Sequence, residues 1–198
     1  MQFQIFEPDI EVNAPTVYAI IDGVGVFTNL SRRYLGQVGI GTVVDKKLVL
    51  DMDGWYSQAA WLQAFENIAK QIGDRVLFNI GYSIPRNAEF PAQVTDIDTA
   101  IQSIDIAYHC NHRKNGQPLF DAATGVKRDG IGHYGYARVS PTINEIVCVS
   151  HNPYPCAFDR GIYLAMARRF QPTARIVHDD TQECRQHGAE TCTYRITW

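Results

Sequence analysis

Three cysteines in the C-terminal part of the chain, Cys156, Cys184 and Cys192, are the residues best placed to do chemistry. Cys156 lies just before an amphipathic run that starts near Phe158, so its thiol should feel the positive end of a helix, which favours the thiolate. Cys184 and Cys192 bracket the turn Arg185-Gln-His-Gly-Ala-Glu-Thr191, which should bring their sulfurs together. Three thiolates and one nitrogen or oxygen ligand would complete a tetrahedral zinc site. His178, Asp179, Asp180 and Glu183 are near enough in sequence to supply that fourth ligand. The plainer alternative is reduced, buried thiols, because a free Cys packs as a small hydrophobe.

Two other groups could carry chemistry. In Gly130-Ile-Gly-His133-Tyr134-Gly-Tyr136, a strand would put both tyrosines on one face and His133 on the other. Glycines in a strand mark close approach of a ligand or another backbone, so His133, Tyr134 and Tyr136 are candidates to contact an aromatic ligand. Trp61 and Phe65 are further aromatic candidates, with core packing as the plain reading. If the chain is an enzyme, His133, Tyr134, Asp53 and His109 are the acid–base candidates. Asp53, in Asp51-Met-Asp-Gly54, also reads as a helix cap.

The elements that must position these residues follow from periodicity. Thr16 to Asp22 is β-branched and apolar and reads as a strand ending at Gly23; Val43 to Leu50 reads as another, with Lys46 and Lys47 near its middle or at a turn. Apolar residues at Ala59, Leu62, Phe65, Ala69 and Ile72 have helical spacing, and Gly73 is a stop. Thr95 followed by Asp98 predicts a capped helix through about Tyr108. Ile131–Val139 and Ile143–Ser150 read as strands, Phe158–Phe170 as a helix, and Thr173–His178 and Thr191–Thr197 as closing strands. Segregated helices and strands predict an α+β fold, an antiparallel sheet with helices packed against it. We expect a single domain over residues 1–198, helical over 1–129 and sheet-rich over 130–198.

Composition excludes several classes. The 198 residues are 45% hydrophobic and 20% charged, with net charge −3 and no basic stripe, which argues against nucleic-acid binding. No apolar run is long enough to span a membrane, and the start lacks the pattern of a secretory signal, so a cytoplasmic location is expected. Five cysteines, an odd number, do not suggest a disulfide framework.

Pro155-Cys-Ala-Phe-Asp-Arg-Gly161, followed by Cys184-Arg-x-x-Gly-Ala-Glu-x-Cys192-Thr-Tyr-x-Ile196, resembles the C-terminal part of 4-vinyl-reductase-like domains. Their superfamily is shared with haem–nitric-oxide-binding domains and a Golgi transport-particle subunit. The resemblance covers about Cys156 to Trp198 and implies an often dimeric fold with a small-molecule pocket between sheet and helices. It also implies a zinc set of three cysteines and one acid, the acid standing three positions before the first Cys of the closing pair. Here that position is Thr181, so Asp180 is the expected substitute, with Cys156, Cys184 and Cys192. Haem-binding relatives use an axial His and a Tyr-x-Ser-x-Arg clamp. In Tyr82-Ser-Ile-Pro-Arg86 the Ser is out of register, Cys-x-x-Cys-His is absent, and His109 and His112 read as helix-end residues, so haem is set aside. The expected function is a sensor-type domain that binds a small hydrophobic or aromatic molecule as a homodimer; the alternative is a stand-alone cofactor-independent isomerase, cyclase or lyase acting on such a molecule.

Overall fold

The fold is that of a computed structural model describing residues 1–23, 28–45, 47–86, 88 and 90–198. The chain begins with β1 (Ile10–Asn13), α1 (Ala14–Gly23), α2 (Thr28–Gln37), β2 (Thr42–Val44), β3 (Lys47–Val49) and β4 (Trp55–Ser57). It continues with α3 (Gln58–Ile72), α4 (Asp74–Ser83), α5 (Ile97–Cys110), β5 (His112–Lys114), β6 (Gln117–Pro118), β7 (Phe120–Asp121) and β8 (Val126–Lys127). The last part holds β9 (His133–Tyr134), β10 (Ala137–Ser140), β11 (Ile143–His151), α6 (Cys156–Phe170), β12 (Arg175–His178) and β13 (Cys192–Thr197).

The main sheet has the order β10-β11-β13-β12, with β9 also paired to β11, and every pairing is antiparallel. β11 and β13 register Ile146 on Ile196, Cys148 on Tyr194 and Ser150 on Cys192. All six residues are buried, so the alternation of each strand directs one face at the core. α6 touches β12 and β13 and packs against α4 and α5. This is the α+β arrangement that the segregated pattern predicts. A smaller antiparallel sheet, β4-β1-β5-β6, ties the N-terminal strand to the segment after α5.

Residues 16–22, expected as a strand, belong to α1. Asn13 caps this helix by accepting the Thr16 N–H at 3.1 Å. Ala14, Val17, Ile20 and Ile21 are buried while Tyr18 is exposed, which is helical spacing. The cap and the buried stripe outweigh the β preference of the branched residues. The expected strand 43–50 is a hairpin of β2 on β3, and Lys46 lies outside the described residues. The helix expected over 56–72 is α3, but Ser57 caps it, accepting from the Ala60 N–H at 3.3 Å. Asp51 instead closes a local turn through the Asp53 N–H at 3.1 Å. Asp96 and Thr99 form the capping box of α5.

The backbones of α4 and α6 cross in close contact. A Cβ on Gly161 would stand 2.2 Å from the Phe78 carbonyl oxygen, and one on Gly81 would stand 2.0 Å from that of Phe158. Only glycine permits this approach, and it sets the position of the α6 side chains facing α3 and α5.

Candidate functional site

A pocket of about 110 Å³ lies among these helices. α3 contributes Trp61, α5 contributes Ile104, Tyr108 and the neighbouring His112, and α6 contributes Phe158, Ile162 and Met166. Tyr134 and Tyr154 complete the aromatic wall, and the lining residues Ala88 and Ala107 are exposed at its rim. Aromatic edges interlock here: Trp61 meets Tyr154 with ring centroids 5.1 Å apart, and Tyr108 meets Tyr134 at the same distance.

The polar atoms of this wall are arranged in a chain. His112 Nδ1 lies 2.6 Å from the Tyr108 carbonyl, which can only accept, so Nδ1 carries the proton. Nε2 then accepts from the Tyr154 hydroxyl at 2.6 Å, and Gln58 donates to that hydroxyl oxygen at 3.2 Å. Burial pushes the His112 pKa down to about 3, which keeps the ring neutral. The indole Nε1 of Trp61 and the side-chain oxygen of Gln58 are buried without a hydrogen-bond partner among the described residues.

Behind the pocket, Tyr134 donates to Asp159 Oδ1 at 2.6 Å. Asp159 Oδ2 accepts from Asn152 Nδ2 at 3.1 Å and pairs with the guanidinium of Arg185. Neither side chain of the Asp159–Arg185 pair has any exposure. Burial raises the Asp159 pKa despite the opposing pull of Arg185 and Tyr134. Arg185 continues the chain to the cysteines, with its Nε 3.4 Å and its backbone N–H 3.3 Å from Cys192 Sγ.

The three cysteines do converge. Cys156 Sγ lies 3.1 Å from Cys192 Sγ and 3.7 Å from Cys184 Sγ, and the last pair is 3.8 Å apart. Cys156 is the first residue of α6, Cys192 opens β13, and Cys184 ends the loop before a short 3-10 turn. The contact with Cys156 and the facing Arg185 push the Cys192 thiol down, while the same contact and burial push Cys156 up.

The fourth group at the thiols is His178, at the end of β12, not Asp180. One ligand atom from each of Cys156, His178, Cys184 and Cys192 lies within 4.8 Å of the others. The His178 side chain turns inward with Ile176 in the strand alternation, whereas the Asp180 side chain is 93% exposed. His178 Nε2 is buried and unpartnered among the described residues.

The other sequence candidates disperse. Trp61 and Tyr134 line the pocket, whereas Phe65 is core beneath it, its ring 5.0 Å from that of Trp61. Tyr136 donates to Asp98 at 2.7 Å, outside the pocket. Asp53 is exposed in the turn before β4. His109 and His133 stack on each other at 5.0 Å beside Asp105. Tyr108, Tyr154 and Arg185 were not singled out by sequence; Tyr154 stands in the Pro-rich loop before Cys156, which is the one local signal it has.

No protein-family model matches this chain. No curated protein matches it either. Solved structures do. The H-NOX protein from S. oneidensis in the Fe(II)NO state is 16% identical, with a TM-score of 0.60 over 92% of this chain and 97% of that one. The I5F mutant of T. Tengcongensis H-NOX is 13% identical, with a TM-score of 0.60 over 92% and 94%. An oxygen-binding H-NOX domain related to soluble guanylate cyclases, in its oxygen complex, is 12% identical, with a TM-score of 0.58 over 91% and 92%. The chain thus has the fold of the H-NOX domains.

This corrects the exclusion of haem. A further match, at a TM-score of 0.61, was solved to probe heme distortion in the H-NOX family, so the fold is one that haem proteins use. The local geometry is a separate matter. The pocket as packed does not fit a porphyrin: at about 110 Å³ it has room for a few waters' volume, at roughly 30 Å³ each. His112, the histidine in its lining, has both ring nitrogens engaged, and among the described residues no Lys or Arg lines it.

Proposed function

We propose that this chain is a small-molecule-binding, sensor-type domain, of the 4-vinyl-reductase-like kind, whose ligand is a single-ring or similarly small apolar molecule. The observation that carries this reading is the aromatic pocket with a buried, unpartnered Trp61 N–H in its wall. An apolar cavity of ~150 Å³ takes up benzene, so about 110 Å³ with an open rim suits one ring. An unpaired buried donor favours a ligand that brings an acceptor oxygen. Calorimetric titration with phenol and toluene tests the proposal. Phenol should bind one per chain and more tightly than toluene, and Trp61→Phe should remove most of that difference. Ala107→Trp, at the exposed rim, should weaken both. Failure of both compounds to bind at millimolar concentration, or indifference to Ala107→Trp, would reject it. Haemin titrated in the same way shows whether the pocket reopens for a porphyrin.

Cys156, Cys184, Cys192 and His178 form a structural metal clasp in this reading. Two of the sulfur separations, 3.7 and 3.8 Å, equal the ~3.8 Å edge of a tetrahedron with ~2.3 Å zinc–sulfur bonds. His178 brings the buried free nitrogen such a site needs. Native mass spectrometry of protein purified without added metal reads ion content, and its subunit count tests the expected homodimer.

A further inference from the structure

A second group of ligand-type side chains lies away from both the thiols and the pocket lining. Asp105 and His109 stand one turn apart on α5, and His133 approaches them from β9; one ligand atom of each lies within 4.8 Å of the others. His109 has no exposure. Its Nδ1 lies 2.7 Å from the Asp105 carbonyl oxygen, which can only accept, so the proton sits on Nδ1. Nε2 therefore presents a lone pair, and it has no partner among the described residues. An imidazole locked through Nδ1–H to a carbonyl, with Nε2 free, is the arrangement that prepares a histidine for a metal. Burial also lowers its pKa, which keeps the ring in the neutral, ligating form.

The other two groups suit the same role. Asp105 is buried yet its pKa is lowered; the carboxylate is held by Lys127 and by the Tyr134 N–H at 2.8 Å. An ammonium thus already rests where a cation is wanted, on a side chain about a third exposed that can swing away. His133 is half-exposed, with Nδ1 3.4 Å from Asp105 Oδ2 and Nε2 3.7 Å from the exposed Asp129. Gly132, at φ 75°, precedes it.

We propose that Asp105, His109 and His133 form a binding site for a divalent first-row transition ion. Two imidazoles and one carboxylate are a donor set for such ions, and the remaining positions fall to water or to Asp129. Ligands at ~2.1 Å from one ion stand ~3.4 Å apart, so binding draws the half-exposed His133 inward and displaces Lys127.

The test uses Ni(II) as the probe, added to protein first given one equivalent of zinc per chain, which the three thiolates take up ahead of the imidazoles and carboxylate, with the excess removed by gel filtration. Calorimetry should show one Ni(II) bound per chain, and NMR should show the His109 and His133 ring signals broadened by the paramagnetic ion. His133→Ala, at a half-exposed position, should weaken Ni(II) by about tenfold or more with an unchanged circular dichroism spectrum. Cys184→Ser should leave Ni(II) affinity within about twofold. Binding that survives His133→Ala, binding lost with Cys184→Ser, or no Ni(II) uptake at millimolar concentration each overturns the proposal. His109→Gln supplies a second variant, and should also lose binding where it folds.

Discussion

Arg185→Met removes one member of a fully buried ion pair and leaves the other in place. Asp159 would keep Tyr134 and Asn152 but lose the guanidinium, the Asn152 carbonyl would lose that donor, and the Asn152 side-chain oxygen would keep the Tyr154 N–H. Stranding one charge of such a pair costs about 3–5 kcal/mol. Against a domain stability of roughly 5–15 kcal/mol, that brings the variant close to unfolding. Asp159→Asn in the same chain removes the stranded charge and keeps an acceptor for Tyr134, so the double variant should be more stable than Arg185→Met by at least about 1 kcal/mol. Urea unfolding followed by circular dichroism, on wild type, both single variants and the double, gives the four free energies. A loss below about 1 kcal/mol for Arg185→Met, or a double variant as unstable as the two single losses summed, would refute the reasoning.

His112 makes stability depend on pH. Its ordinary pKa of 6.5 applies to the unfolded chain, and burial holds it at about 3 in the fold, so the unfolded chain binds the extra proton between these values. Stability from this group is complete above pH 6.5 and falls by roughly 1.4 kcal/mol per pH unit below it, which unfolding curves at pH 7 and 5 will measure. Gly161→Ala forces a methyl against the Phe78 carbonyl and should cost about 1–3 kcal/mol or more in thermal unfolding. At the thiols, His178→Ala should lower retained zinc, read by elemental analysis, while Asp180→Ala leaves it unchanged; the opposite order would restore the acid as the ligand.

The sheet and α6 were legible because alternation and a buried helical stripe repeat over many residues. α1 was not, because Val17, Ile20 and Ile21 are good strand residues and their helical spacing shows only once Asn13 is recognised as a cap. The thiol trio was legible from the pattern around Cys184 and Cys192, yet its fourth member depended on strand parity: His178 shares a face with Ile176, whereas Asp180 lies past the strand end. The Asp159–Arg185 pair and the meeting of Asp105 with His133 are contacts across 26 and 28 residues, which no local spacing announces. The likeness to a fold that haem proteins use was not legible, because the Tyr82–Arg86 register, the missing Cys-x-x-Cys-His and the helix-end histidines are local signals, whereas architecture is spread over the whole chain.

The glycine crossing of α4 and α6 also bears on how a guest arrives. Backbone against backbone, these helices leave the wall carrying Phe158, Ile162 and Met166 no slack to move outward. The aromatic chamber meets solvent elsewhere, at the exposed lining residues Ala88 and Ala107, which is where a guest of the proposed kind would enter. For the proposed occupant, the tightly crossed helices are the unyielding floor of the chamber and the solvent-facing alanines its threshold.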